Sequence, residues 1–269
     1  MPPKSKKNIS ECIIIRQNDA VAEIRLNRPQ LLNPFNIELA TQLGQALQKV
    51  AQDKKIRAVI LRGEGKAFSA GGDLKMFHGL LPRADKGFHK ISSLLNQAIL
   101  LIRKMPKPVL AGVQGPAFAA GFGLTLACDL ILASESAKLS ASFINIALTP
   151  NGSSTVYLPR LVGFHRANEM FFTGRVLSAK EALEWGIVNR VVKEEEFDEE
   201  LLQWAQELAH RPTRSIAQMK LLMNQSLGIS LPRQLELEKK TIACSATTKD
   251  FAEGVTAFVE KRKASFKGK

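Results

Sequence analysis

The first half of the chain alternates short apolar runs with segments of helical spacing. Residues 12–26 contain two apolar runs around Asn18 and Asp19, and apolar and polar positions alternate in VAEIRL, which predicts a β-hairpin. Three further short apolar runs, bounded by Gly, Pro or Asp, predict buried strands at residues 57–63, 107–115 and 129–134. Apolar positions at helical intervals predict helices at residues 36–52, 86–104 and 120–127.

The second half of the chain is mainly helical in its pattern. Helical periodicity covers residues 164–173, 178–185, 195–210, 212–226, 231–246 and 248–262, with a strand predicted at residues 187–192. Because strands and helices alternate before residue 150, we predict an α/β core of repeated ββα units. We divide the chain into a disordered basic tail at 1–8, a core domain at 9–195 and a helical region at 196–269 that packs on the core or mediates association.

Composition places the chain among globular proteins. It has 269 residues, of which 45% are hydrophobic and 23% are charged, enough to bury a large core. No apolar run reaches the length of a membrane span, and no apolar segment follows the basic start MPPKSKKN as a secretory signal would require. Cys12, Cys128 and Cys244 have neither metal-site nor disulfide spacing, so we predict no metal site and a reducing, cytoplasmic location.

The formal net charge of +13 favours anionic partners, either nucleic acid or a phosphorylated metabolite. Positive charge is spread along the chain with some excess at both ends, and no basic stretch has the interleaved aromatic residues that stack on bases. We therefore favour a solubilising surface over nucleic-acid binding. No nucleic-acid partner and no membrane partner are predicted.

Two loops share one design. FSAGGDL, at residues 68–74, and GPAFAAGFG, at residues 115–123, each follow a predicted strand with small residues and lead into a predicted helix. Small residues allow backbone N–H groups to approach a ligand, and a helix N-terminus has unpaired N–H donors. Two such donors aimed at one point would stabilise an oxyanion. For either loop alone, tight packing between strand and helix is the better explanation; the two loops together favour a site as much as packing. The glycines do not complete a dinucleotide-binding fingerprint.

Motifs along nearly the whole chain resemble those of one family. NRPQLLNPFN is similar to N-R-P-x-x-x-N-A, AFSAGGDLKMF to A-F-(S/A)-A-G-x-D-(L/I), and KPVLAGVQGPAFAAGFGLTLACDLILAS to the long glycine-rich motif that follows it. LTPNGSSTVYLPRLVG, TGRVLSAKEALEWGIVNRVV and the closing FVEKRKASF also fit. The chain thus resembles the crotonase superfamily, the enoyl-CoA hydratases and isomerases.

The resemblance implies a fold, a substrate and a site. The fold is α/β, a crotonase-like spiral core of ββα repeats with a C-terminal helical trimerisation region, and the assembly is a homotrimer or homohexamer. The substrate is an acyl-CoA thioester or an acyl carrier's pantetheine, without a tightly bound cofactor. The backbone N–H groups of Ala70 and Ala120 would form the oxyanion hole. The residues implied in substrate binding, with Lys261 placed at the phosphates, are Leu31, Leu32, Ala67, Ser69, Gly71, Gly72, Asp73, Leu74, Gly121, Gly123, Phe143 and Lys261.

The same resemblance implies that this chain lacks the family's usual catalytic carboxylates. The two glutamates of the family's hydratases correspond to Gly123 and Phe143, and the carboxylate of its isomerases and dehalogenases corresponds to Asn151. The histidine of the dehalogenases corresponds to Asn96. A positioned general acid or base contributes roughly 10²–10⁴ in rate, so water addition by this chain is expected to be very slow. Asn151 remains a candidate catalytic residue, although we favour its explanation as a turn residue before Gly152.

Other side chains offer few substitutes for the missing acids. His89 shares a helix face with Asn96 and is a candidate base, although a surface histidine is the commoner case. Asp73 suits a helix cap, and Asp129 suits a structural role. The function predicted first is therefore double-bond isomerisation, or related enoyl-CoA chemistry, with a thioester enolate stabilised in the oxyanion hole. Decarboxylation of a malonyl-type acyl-CoA is the alternative within the family, because loss of CO₂ needs no general base. A non-catalytic acyl-CoA-binding or assembly partner is the alternative from another class.

Overall fold

The computed structural model describes residues 11–269. The basic tail predicted for residues 1–8 lies outside the described residues. Two sheets and the helices around them make up the described chain. The strands are β1 Ile13–Asn18, β2 Val21–Leu26, β3 Ala58–Gly63, β4 Val109–Val113, β5 Pro116–Phe118, β6 Leu130–Ser134, β7 Lys138–Ser140, β8 Val176–Ser178 and β9 Arg190–Val192.

The helices alternate with these strands and then dominate the C-terminal part. They are α1 Ile37–Gln52, α2 Leu74–His78, α3 Ala84–Lys104, α4 Ala120–Ala127, α5 Ser154–Val162, α6 Phe164–Thr173, α7 Ala179–Glu184, α8 Phe197–Ala209, α9 Thr213–Ser226, α10 Leu231–Ser245 and α11 Lys249–Val259. Short 3₁₀ turns lie at Pro29–Leu31, Ser142–Ile146 and Glu194–Glu196. The mixed α/β class and the helical C-terminal part predicted from the sequence are confirmed.

The larger sheet has six strands in the order β1-β2-β3-β4-β6-β9. β1 and β2 form the predicted antiparallel hairpin, with Asp19 in the turn at a positive φ of 49°. The other neighbours are parallel, and Val59 of β3 stands opposite Val109 of β4. Parallel order aligns the carboxyl ends of β3, β4 and β6, so both glycine-containing loops leave the same side of the sheet.

The second sheet has three strands in the order β5-β7-β8, and the sequence patterns did not predict it. Each of its strands has only three residues, which is too short for an alternating pattern to be read. β5 pairs in parallel with β7, and an isolated bridge joins Ser69 to Ala117. This small sheet therefore links the first small-residue loop to the beginning of the second.

Helices cover both faces of the larger sheet. On one face α1 and α3 bury an apolar stripe, and Leu39, Leu43 and Leu47 are fully buried against the strands. On the other face α8 packs Leu201 and Trp204 against the sheet in a smaller apolar cluster. Because α8 covers the sheet, the predicted region 196–269 begins with a helix that packs on the core. The domain boundary at residue 195 stays a prediction.

A buried lysine joins α9 to the core. The Lys220 ammonium donates hydrogen bonds to the carbonyl oxygens of Ile102 (3.0 Å) and Lys107 (2.8 Å) and to the Asp129 carboxylate (2.6 Å). Asp129 also accepts a hydrogen bond from the Val109 N–H, which confirms its predicted structural role. Burial lowers the pKa of Lys220, although the Asp129 carboxylate opposes that shift. Lys220 and Asp129 thus hold α9 against α3 and the start of β4.

Candidate active site

The first small-residue loop is held by a buried asparagine. The Asn33 amide donates to the carbonyl oxygens of Glu64 and Ala67, and its Oδ1 accepts the Arg28 N–H. The Ser69 hydroxyl in turn donates to the Asn33 carbonyl at 2.8 Å. The asparagine of the NRPQLLN segment therefore fixes the loop that follows β3. No local sequence pattern marks this role of Asn33, because its partners are backbone atoms distant in the chain.

The assignment of Ala70 as an oxyanion donor is wrong in this structure. Its N–H donates to the Leu32 carbonyl oxygen at 2.8 Å, so the donor is already used. The next N–H, of Gly71, donates to the Ser69 hydroxyl at 3.2 Å, and Gly71 has a positive φ of 96°. Neither group is available to a ligand while the loop keeps this conformation.

Gly72 presents the available N–H of this loop. It forms an isolated parallel bridge with Phe35, in which Phe35 bonds to the Gly71 carbonyl and the Asp73 N–H. In a parallel bridge of this kind, Phe35 bonds to the residues before and after Gly72 and not to Gly72 itself. The N–H of Gly72 therefore points away from Phe35. Within residues 11–269, no atom accepts a hydrogen bond from it. A Cβ at Gly72 would lie 2.8 Å from Cε2 of Phe77, so a larger residue at this position would require the Phe77 ring to shift.

The second loop presents an N–H at the start of α4. Ala119 has a φ of 47°, uncommon for a residue with a Cβ, and its N–H donates to the Ser140 carbonyl of β7. Ala120 is the first residue of α4, and N–H groups in the first turn have no partner inside the helix. No acceptor for the Ala120 N–H exists among the described residues. The positive φ falls on Ala119, so Ala120 keeps a helical backbone.

Gly72 and Ala120, together with Ala119, help to line one cavity of about 240 Å³. Seventeen residues line it, and their side chains are apolar or neutral. The polar ones are Ser92, Ser142, Asn145 and Asn151. Among residues 11–269, no Asp, Glu, His, Lys, Arg, Cys or Tyr side chain lines this cavity. The cavity therefore offers hydrogen bonds but no ionisable group.

Asn151 lines this cavity as well as occupying a turn. Its Nδ2 donates to the Ser92 hydroxyl at 3.2 Å, and its backbone carbonyl accepts from the Ser154 hydroxyl at 2.8 Å. The side-chain Oδ1 is buried and has no hydrogen-bond partner in the described part of the chain. A buried amide oxygen without a partner costs free energy.

The structure brings six of the predicted site residues to the cavity wall: Ala70, Gly72, Leu74, Ala120, Phe143 and Asn151. The others lie outside it. Leu31 and Leu32 are exposed on the adjoining loop, and Lys261 is exposed at the end of α11. The remaining residues form the scaffold behind the two loops, namely Ala67, Ser69, Gly71, Asp73, Gly121 and Gly123. Their roles in binding the rest of the substrate stay predictions.

Two of these scaffold residues have structural constraints of their own. A Cβ at Gly123 would lie 2.4 Å from the Gly152 carbonyl oxygen, so this position has no space for a carboxylate. The Asp73 carboxylate caps α2 through the Met76 N–H and pairs with Arg28 at 2.8 Å, which confirms the predicted cap. Burial raises the pKa of Asp73, but the hydrogen bonds from Arg28 and Met76 outweigh it and hold the pKa below its usual value.

The remaining acid and base candidates also lie away from the cavity. His89 and Asn96 are exposed on α3 and do not line it. Tyr157 packs under the Arg103 guanidinium, with 5.3 Å between that group and the ring centre.

No group of three or more His, Cys, Asp or Glu side chains in residues 11–269 is placed to hold a metal ion. In the same range, no helix is long and apolar enough to cross a bilayer.

Comparison with known proteins agrees with this arrangement. The family model described as enoyl-CoA hydratase/isomerase matches residues 16–269, so the chain belongs to this family of acyl-CoA-processing enzymes. The chain is 36% identical over 261 residues to 1,2-epoxyphenylacetyl-CoA isomerase of Escherichia coli (strain K12), covering 96% of this chain and 99% of that protein. It is 34% identical over 260 residues to 4-chlorobenzoyl coenzyme A dehalogenase-2 of Arthrobacter sp, covering 96% and 94%.

Solved structures show the same architecture. The crystal structure of an enoyl-CoA hydratase subunit from Geobacillus kaustophilus HTA426 matches with a TM-score of 0.89 and 33% identity, over 96% of this chain and 99% of that one. The crotonase fold predicted from the motifs is therefore confirmed, as is membership of the enoyl-CoA hydratase/isomerase family.

Proposed function

We propose that this enzyme stabilises the enolate of an acyl thioester between the N–H groups of Gly72 and Ala120. The observation that carries this proposal is that, within residues 11–269, neither N–H has an acceptor and the cavity that Gly72 and Ala120 line has no ionisable side chain. Removal of one prepositioned donor from an oxyanion hole lowers the rate by about 10²–10³, because each donor acts where negative charge develops. The protein thus supplies electrostatic stabilisation of the oxyanion, while the substrate or water supplies the proton chemistry.

Loss of CO₂ from a malonyl-type acyl thioester fits these features best. The bond between Cα and the carboxylate carbon breaks, CO₂ leaves, and the electron pair moves onto the thioester oxygen as the enolate forms. Cα then takes a proton from water. An apolar cavity disfavours the carboxylate relative to neutral CO₂, because the charge loses its hydration there. No step requires a side-chain base.

Double-bond isomerisation is the second candidate function. The 30% identity to a protein named as a trans-2-decenoyl-[acyl-carrier-protein] isomerase favours it, and Asn151 lines the cavity at the position where we expect the family's carboxylate. The Asn151 amide can hold a substrate by hydrogen bonding but cannot carry a proton between carbons at neutral pH. Isomerisation by this chain would therefore require water as the proton carrier, and we expect it to be slow.

The carrier and the assembly are also proposals. The thioester is carried by CoA or by the pantetheine of an acyl carrier protein, since the cavity holds only the acyl part. Several large apolar side chains of the C-terminal helices are exposed, among them Ile242, Phe251 and Phe258. Association into a homotrimer or a homohexamer would cover such side chains. A cytoplasmic location remains the expectation for an enzyme of this substrate class.

One incubation separates these functions. Purified protein is mixed with malonyl-type, 2-enoyl and 3-enoyl CoA thioesters, and the products are followed by mass spectrometry with chromatographic separation of isomers. We expect loss of CO₂ from a malonyl-type thioester. Gain of water would contradict the proposal, because it requires acid–base groups that the cavity lacks. Binding of every thioester without turnover would favour a non-catalytic acyl-CoA-binding or assembly role.

A further inference from the structure

The wall of the cavity is unusually rich in phenylalanine. Phe35, Phe77, Phe88 and Phe143 account for four of the seventeen lining residues, whereas the whole chain has 14 phenylalanines among 269 residues. Aliphatic side chains such as Leu would bury a linear acyl chain equally well. The concentration of rings in one wall therefore calls for an explanation beyond hydrophobicity.

Two of these rings form a rigid pair. The rings of Phe77 and Phe88 lie 3.8 Å apart between centres, with an interplanar angle of 8°. Phe77 packs directly against Gly72, as the 2.8 Å distance from a Gly72 Cβ to its Cε2 shows. The stacked pair therefore begins beside the N–H donor that we assign to the thioester oxygen. A group attached to the thioester carbonyl must lie close to these rings.

The size and polarity of the cavity limit what can lie there. The cavity has a volume of about 240 Å³, so it admits only a small acyl group. The remaining wall is mostly aliphatic, with Leu74, Ile91 and Leu95 among its side chains. Since the described lining has no cationic side chain, a ring with a charged substituent would lose its hydration without compensation. A neutral ring joined to the carbonyl through a short link, which keeps the Cα that the enolate requires, fits these limits.

We propose that the acyl group of the substrate carries a neutral aromatic ring that packs against Phe77 and Phe88. This inference rests on the proposed acyl-thioester function and specifies its substrate class. Aromatic rings attract one another in offset and edge-to-face arrangements beyond the burial of their area, by an amount equal to about two- to tenfold in affinity. A ring also has fewer rotatable bonds to immobilise than a linear chain with the same number of carbons.

The test compares three thioesters with the same number of acyl carbons: phenylacetyl-CoA, cyclohexylacetyl-CoA and octanoyl-CoA. Their affinities for the full chain are measured by isothermal titration calorimetry. We expect phenylacetyl-CoA to bind about two- to tenfold more tightly than cyclohexylacetyl-CoA, which matches its bulk without its π-system. Equal or weaker binding of phenylacetyl-CoA would overturn the inference while leaving the proposed function intact. Failure of all three to bind would overturn both.

Variants of Phe88 test whether the stacked pair causes the preference for an aromatic acyl group. Phe88→Leu should abolish the aromatic preference and keep the affinity for octanoyl-CoA, because it removes a ring but leaves an apolar wall. Phe88→Tyr retains the ring, so it should retain the preference even if the leucine variant folds poorly. Phe172→Leu is the matched control, since Phe172 is exposed and does not line the cavity. A preference unchanged in a folded Phe88→Leu variant would contradict the role given to the stacked pair.

Discussion

Replacing Asn151 by Asp should give this enzyme the proton carrier that its cavity lacks. Asn151 lines the cavity, its Oδ1 is buried without a partner in the described chain, and the Ser92 hydroxyl lies 3.2 Å from its Nδ2. Asp has nearly the same shape, so the new carboxyl should occupy the same space. Its one close partner would be the Ser92 hydroxyl, since no cationic side chain lines the described cavity.

The expected gain follows from this environment. Loss of hydration raises the pKa of a buried carboxyl, which brings it nearer to the pH at which a general base works well. A positioned general base contributes about 10²–10⁴ in rate, so Asn151→Asp should raise conversion of 3-enoyl to 2-enoyl thioesters by that factor. The rate should increase with pH through the raised pKa, because only the ionised carboxyl accepts a proton.

The same substitution should make stability depend on pH. A carboxyl whose folded pKa is raised binds its proton more tightly in the folded state. The variant should therefore match the wild type in acid and lose stability as pH rises from the unfolded pKa towards the folded pKa. If the pKa of this carboxyl is one unit higher in the folded state than in the unfolded state, the free energy of unfolding falls by about 1.4 kcal/mol. Urea unfolding between pH 4 and 8 measures it.

The assay follows the absorbance of the conjugated 2-enoyl thioester formed from its 3-enoyl isomer, with isothermal titration calorimetry to establish binding. Asn145→Asp is the control, because Asn145 lines the same cavity but is exposed to solvent. That variant adds the same charge at another position and should gain little isomerase activity. The reasoning would be refuted if Asn151→Asp folded and bound acyl-CoA but isomerised no faster than the wild type or the control.

Three further predictions concern the scaffold. Gly123→Ala should destabilise the protein by about 1–3 kcal/mol in urea unfolding, because its Cβ would lie 2.4 Å from a carbonyl oxygen, and Gly123→Glu should therefore not create hydratase activity. Asp129→Ala should cost about 3–5 kcal/mol in the same assay, since it leaves the buried Lys220 ammonium without its carboxylate. Hydrogen bonds from Ser178 and from a nearby arginine lower the pKa of Glu181 to about 2. The stability that Glu181 contributes should be present above about pH 4.5 and lost as pH falls towards 2, so wild type and Glu181→Gln should converge in acid.

Much of the fold was predictable because it depends on local patterns and on specific motifs. Alternation placed the β1–β2 hairpin, and apolar spacing placed α1 and α3 to within a few residues. The motif containing Asn151 predicted a functional position, and the structure brings that residue to the cavity. In each case the information lies in neighbouring residues or in one short segment of this chain.

The finer geometry of the site was not predictable in the same way. Whether the N–H of Ala70 or of Gly72 is available depends on the Leu32 carbonyl and on the bridge to Phe35, which are distant in sequence. The aromatic wall also combines residues from separate elements, with Phe77 on α2 and Phe88 on α3. Contacts of this kind are set by tertiary packing, so no periodicity in the sequence marks them.

The central claim is that the N–H groups of Gly72 and Ala120 polarise the thioester carbonyl. Infrared difference spectroscopy of a bound acyl-CoA with a ¹³C-labelled carbonyl tests this directly, whichever reaction follows. The wild type should lower the carbonyl stretching frequency relative to water, and Ala120→Pro should reverse much of that shift while still binding. Proline removes one donor, and the first position of a helix tolerates it. A frequency equal to that in water, or unaffected by Ala120→Pro, would contradict the claim.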